Sequence, residues 1–168
     1  MIAPLVIKIL GEPVPQNVGK VGRWRSKDGR EGTTIRQPSK VRHYKIEVQE
    51  RMVLAAVDAG RRMSDQGTFF GEVPLRLEIL AVFELPKSRH RKRNSLGRTP
   101  HTGRYGNCDN LTKAIADAGE HVLWMDDGQI CELRVSKWWG AQGEAPFVEI
   151  RVSVVGAQGT LFREMTHA

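Results

Sequence analysis

Cysteine is nearly absent: Cys108 and Cys131 are the only two in 168 residues. Two isolated cysteines exclude a disulfide-built secreted scaffold, and their spacing excludes the paired ligands of a zinc site, so a reducing cytosol is expected. Long apolar runs are also missing, which excludes a membrane-spanning helix. The start, Met1-Ile2-Ala3-Pro4-Leu5, lacks the basic segment and apolar stretch of a signal peptide, so the protein is expected to be neither exported nor embedded. No internal repeat and no linker interrupts the sequence. A chain of this length buries a core without disulfide or zinc support, and residues 1–168 are expected to form a single domain.

Acid is the minority charge. Lys and Arg outnumber Asp and Glu by 26 to 19, for a net charge of +7 and a pI near 9.8. Such a balance suits a polyphosphate partner and favours nucleic acid. It equally suits a basic protein that binds nothing, or one associated with ribosomes, so composition does not decide between them.

Hydrophobic periodicity supplies the architecture. Leu5, Ile7 and Ile9 alternate with Val6, Lys8 and Leu10 in a run closed by Gly11, the pattern of a strand buried on one side. Residues 11–37 are rich in Gly and Arg and lack sustained periodicity, which predicts a basic loop. Pro38 and Ser39 open a helix in which Val41, Tyr44, Val48, Met52, Ala55 and Ala59 form the core stripe and Gly60 is the stop. Residues 75–85 alternate as the clearest central strand, ended by Pro86. A second basic stretch, near 87–106, carries Arg89, Arg91, Lys92, Arg93 and Arg104. Leu111, Ala114, Ile115 and Ala118 mark one buried face of a short helix over 110–119, with Asp109 placed to cap it. Residues 124–128 read as a turn and 129–138 as a strand. Val148, Ile150, Val152 and Val154 alternate as a last strand, joined to its predecessor by a hairpin around Gly140 to Gly143. The expected fold is α+β, a small mixed sheet of about four strands packed with two main helices, and residues 158–168 are expected to be a loosely held tail.

The chemistry-bearing residues cluster late in the chain. Asp109, Lys113 and Asp117 sit four apart, which puts them in one stripe on the polar side of their helix. Asp126 and Asp127 follow in the turn. Magnesium takes oxygen ligands, often one or two carboxylates with water and substrate phosphate, and phosphodiester hydrolysis uses such a metal to activate water and offset charge on the phosphate. Lys113 would then neutralise the phosphate or the leaving group. A plainer reading stands beside this one: Asp109 caps the helix, Lys113 and Asp117 form an exposed pair, and Asp126-Asp127-Gly128 is an ordinary turn.

Taken together, Asp109-Asn110-Leu111 with Lys113, then Asp117-Ala118, then Trp124-Met125-Asp126-Asp127-Gly128-Gln129-Ile130, resemble the signature of the RusA family of Holliday junction resolvases. In that family an Asp-x-Asp-Asn-Leu-x-Lys segment and an Asp-Asp-x-Gln-Val/Ile segment frame the metal site. Each half alone is weak, whereas the pair at this spacing is fairly specific, and the resemblance runs over residues 5–155. It implies a RusA-like fold and a magnesium-dependent endonuclease, with manganese as the substitute metal, that resolves four-way junctions as a homodimer in the cytoplasm of a bacterial or phage-infected cell, without a small-molecule cofactor or a membrane. Carried over, Asp109 and Asp127 fall on two of three metal-binding aspartates and Lys113 on the catalytic lysine. Asp126 falls on their acidic neighbour and joins Asp109, Asp127 and Asn107 as a candidate metal ligand, and Asn110 and Asp117 fall on supporting positions.

The departure is Asn107, where the family has its first aspartate. An amide oxygen still ligates magnesium but brings no charge, so the resemblance implies weakened cleavage with junction binding kept. Asn107 is then a natural variant compensated by another carboxylate, an engineered inactive form, or the mark of a binding protein that has lost activity; this last gives the alternative, a non-catalytic branched-DNA-binding protein of the same fold. A basic structural or assembly protein, whose acidic cluster only caps and turns, is a third reading. Arg23, Arg25, Arg89, Arg91, Lys92, Arg93 and Arg104 are the candidate phosphate contacts. Trp24, Trp138 and Trp139 are candidates either for stacking on unpaired bases or for packing within the protein. Cys108 is given no chemistry, and the histidines considered, His43, His90, His101 and His121, lack metal-ligand spacing.

Overall fold

The computed structural model describes residues 3–16, 20–90, 97–103 and 105–156. Arg91, Lys92, Arg93, Arg104 and the 158–168 tail therefore lie outside the described residues, as do the side chains of Lys20, Ile35 and Arg36. In chain order the elements are β1 (Leu5–Leu10), β2 (Lys20–Arg25), β3 (Glu31–Arg36), α1 (Ser39–Asp58), β4 (Leu75–Phe83), β5 (Thr99–Pro100), α2 (Cys108–Gly119), β6 (Ile130–Trp139) and β7 (Phe147–Val154). Short 3-10 turns cover Lys87–Arg89 and Asp127–Gln129. The fold is α+β and RusA-like, as expected.

The main sheet has five strands in the order β1-β7-β4-β6-β5. β4 runs parallel to β6, and the other pairings are antiparallel. Its period-2 pattern explains its central place: Leu75, Leu77, Ile79, Ala81 and Phe83 are all buried, and so are Val148, Ile150 and Val152 on β7. β1 buries Leu5, Ile7 and Ile9 and turns Val6 and Leu10 outward. Helix α1 presses Val41, Tyr44, Val48, Met52 and Ala56 toward this core and packs on β1 and on α2. Its stop is conformational: Gly60 has φ of +67°, a left-handed setting that favours glycine just beyond a helix end.

Four expectations need correction. Residues 20–36 are an antiparallel hairpin, β2 with β3, rather than a loop. The ladder leaves no hydrophobic alternation to read, because Val21, Trp24 and Ile35 are scattered singly among Gly, Thr and Arg. β6 and β7 are not a hairpin, since β4 lies between them and pairs with both. Helix α2 starts at Cys108 with Asn107 as its N-cap, so Asp109 stands in the first turn and does not cap it. On α1, Ala56 takes the buried position, while Ala55 is half-buried and Ala59 is exposed, because the stripe drifts one residue over five turns.

Candidate active site

Helix α2 shows its buried face through Leu111, Ala114, Ile115 and Ala118. The 3.6-residue period then sends Asp109, Lys113 and Asp117 to the other side. There, α2 covers β6 incompletely: Leu133 is 52% exposed and Val135 half-buried. The gap is a cleft of about 530 Å³ lined by Asp109, Lys113, Asp117 and Asp127, with Ala116, Leu133 and Val135 as apolar wall. The helix and the turn before β6 are thus brought together. Asp109 also gains from its place in the first helical turn, where the backbone dipole favours negative charge.

The turn that delivers Asp127 is built by its neighbours. Asp126 accepts a hydrogen bond from the Gly128 amide at 2.7 Å, and Gln129 Oε1 accepts from the Met125 amide at 2.7 Å and the Asp126 amide at 3.3 Å. The other end of Gln129 donates to the carbonyls of Gly71 at 2.7 Å and Val73 at 3.0 Å. This reciprocal capping box fixes the turn to the 71–73 loop and leaves the Asp127 carboxylate uncommitted. Asp126 therefore serves the turn and does not line the cleft.

Asp117 is likewise structural. Its Oδ2 accepts hydrogen bonds from Lys45 Nζ and Gln16 Nε2, each at 2.9 Å, tying α2 to α1 and to the segment after β1. Burial pushes its carboxyl up, but the bonds from Lys45 and Gln16 and the charges of Lys45 and Lys113 outweigh this and hold it below the ordinary aspartate range. Asp109, Lys113 and Asp127 are exposed and have no hydrogen bond or ion pair through their side chains among the described residues. Asn107 is exposed at the N-cap, makes no side-chain cap bond and does not line the cleft.

The sequence of the chain matches the model of the family described as Endodeoxyribonuclease RusA over residues 11–153. The chain belongs to the RusA endodeoxyribonuclease family. It is also 27% identical over 154 residues to the uncharacterized protein YqaN of Bacillus subtilis (strain 168), covering 89% of this chain and 95% of that protein. RusA-family proteins are endonucleases that act on branched DNA junctions, and Asp109, Lys113, Asp117 and Asp127 of this chain line the cleft. Among the described residues no three His, Cys, Asp or Glu side chains are gathered into a metal-binding group.

The basic candidates divide. Arg23 is exposed on β2 without an ion pair among the described residues, and Arg25 pairs with Glu31 at 3.2 Å. Arg89 lies with its guanidinium 5.5 Å from the Trp139 ring centroid, a cation–π contact. Trp139 in turn stacks on His101 at 3.8 Å, against Phe83. Trp138 is half-buried on β6, and Trp24 is 47% exposed. Sequence reasoning gave Gln16 and Lys45 no part, and nothing local to them signals one. Gln129 did carry a signal, since it stands inside the second motif.

Among the described residues no helix is long and apolar enough to cross a membrane.

Proposed function

We propose that this chain is a structure-specific endonuclease that resolves Holliday junctions by magnesium-dependent phosphodiester hydrolysis, as one domain acting in a homodimer in the cytoplasm. The observation that carries the reading is a contrast in and beside the cleft: Asp117 in its wall and Asp126 in the adjoining turn are occupied by the scaffold, while Asp109, Lys113 and Asp127 line the same space without partners among the described residues. Asp109 and Asp127 line one cleft, and their carboxylates are not committed to the scaffold. Two carboxylates, with room for water and a phosphate, fit the donor set magnesium accepts, and manganese shares that preference for oxygen.

Asp109 and Asp127 would hold the metal, which when bound supplies an activated water and offsets charge on the phosphate. Lys113, one helical turn beyond Asp109, places a compact positive charge where the phosphate or the leaving oxygen lies. Ala116, Leu133 and Val135 give the cleft an apolar wall beside these groups. A four-way junction has approximate two-fold symmetry, and a two-fold dimer presents two equivalent sites for paired nicks. The basic segments supply the salt-dependent affinity for backbone phosphate.

A second reading, a branched-DNA-binding protein of the same fold without catalysis, is favoured by Asn107. Its neutral amide stands where the resemblance implies a third carboxylate, so metal affinity falls while the DNA-binding surface is untouched. A gel shift on four-way and linear duplex DNA, run beside a nicking assay with and without magnesium, separates the readings. Preference for the junction with nicking supports the first reading, and preference without nicking the second. No preference for the junction overturns both.

A further inference from the structure

Trp24 has no part in the cleft, yet it is the tryptophan most open to solvent. Trp124 is fully buried, Trp138 is half-buried on β6, and Trp139 is held between neighbours, whereas Trp24 is 47% exposed on a hairpin that no other described element packs against extensively. Its cross-strand partner is Gly32. A Cβ on Gly32 would lie 2.8 Å from the indole Cε2, Cζ2 and Nε1 atoms, closer than van der Waals contact allows. The indole therefore lies across the neighbouring strand, and the missing side chain is what lets it do so. On the same face the flanking positions are Gly22 with Thr34, both small, on one side and Ser26 with Arg30, whose guanidinium pairs with Asp28 at 3.3 Å, on the other.

We propose that the outward face of the Trp24 indole is a stacking platform for an unpaired DNA base. An aromatic ring laid flat on a backbone floor offers one free π-face, and every base has a matching face, so recognition is independent of sequence. A base within a duplex has both faces already stacked, which directs the platform to single-stranded or splayed nucleotides. The hairpin, residues 20–36, has six cationic residues against two carboxylates, and Arg23 on its opposite face is unpaired among the described residues, so the same element attracts the phosphates of the bound strand. The inference rests on the DNA-binding reading above and adds to it a site that senses unpaired bases.

The test uses the full chain, with oligothymidylate, a four-way junction and a linear duplex as probes at one salt concentration. Trp24→Ala is expected to weaken oligothymidylate binding about tenfold and Trp24→Phe, whose smaller ring still covers Gly32, by less, while duplex affinity changes less than about twofold. Binding of oligothymidylate should also quench the protein's tryptophan fluorescence, with that part of the signal lost in Trp24→Phe. Equal losses on duplex and oligothymidylate, or no loss on either, would overturn the platform while leaving DNA binding intact. A chain that binds none of the three probes would overturn both readings.

Discussion

The acidic cleft and the basic hairpin are organised in opposite ways. Around Asp109, Lys113 and Asp127, which have no partner among the described residues, the supporting groups are engaged: Gln129 in the adjoining turn by four hydrogen bonds, Asp126 there by its capping bond, and Asp117 in the cleft wall by Lys45 and Gln16. Among the described residues the hairpin is held mainly by its own contacts, with the Trp24 ring over Gly32 and the largely exposed Arg25–Glu31 and Arg30–Asp28 pairs at 3.2 Å and 3.3 Å. Metal chemistry needs ligands fixed by a supporting shell, whereas attraction to phosphate needs only charge within reach. On the proposed reading, turnover belongs to the first region and affinity to the second.

The largest effect that would break this division lies in the cleft. With Asn107→Asp as background, Asp127→Asn or Asp109→Asn should lower magnesium-dependent nicking by about a hundredfold or more, with the junction gel shift nearly unchanged. Comparable losses in both assays would mean the cleft serves binding. The hairpin should show the converse. Arg23→Ala with Arg25→Ala is expected to weaken junction binding about tenfold near 0.1 M salt and to reduce the slope of log affinity against log salt by about two, leaving the cleavage rate of bound junction alone.

Smaller effects probe the scaffold. Asp117→Asn removes the charge that holds Lys45 and Gln16, and urea unfolding should show a loss of about 1–2 kcal/mol, discounted because the Lys45 and Asp117 side chains remain 23% and 28% exposed. Because the folded carboxyl is held below its ordinary pKa, this stability is present above about pH 4 and is lost as pH falls through the lowered value, so the variant should flatten the acid limb. The smallest effect belongs to His101, only 3% exposed, which burial and the Lys137 and Arg89 charges keep neutral. The unfolded chain takes up a proton near pH 6.5 that the folded chain resists, so stability should decline as pH falls below about 6.5, and less so in His101→Phe. A Tm measured against pH for both proteins checks the sign.

Much of this was legible in the sequence where burial imposes a period. The alternation in β1, β4 and β7 and the stripe on α2 are direct imprints of one-sided packing, and the four-residue spacing of Asp109, Lys113 and Asp117 already placed them together. What escaped had no such imprint. In the hairpin Val21, Trp24 and Ile35 stand singly among Gly, Thr and charged residues, so its strands carry no periodic signal. The insertion of β4 between β6 and β7 is a long-range pairing that adjacent strands do not announce. The ties from Asp117 to Gln16 and Lys45 span 101 and 72 residues, and only the fold reveals them. The start of α2 at Cys108 moved Asp109 from cap to first turn, a shift of the size that helix boundaries commonly show.

The central claim is that Asp109, Lys113 and Asp127 form a metal-dependent hydrolytic site whose output is limited at position 107. Nicking of a four-way junction by the chain and by Asn107→Asp, side by side with and without magnesium, tests it most directly. The account predicts cleavage only with magnesium and at least about tenfold faster in the variant, because a carboxylate there adds the charge an amide lacks. Equal rates in the two proteins, or cleavage without added metal, would contradict it.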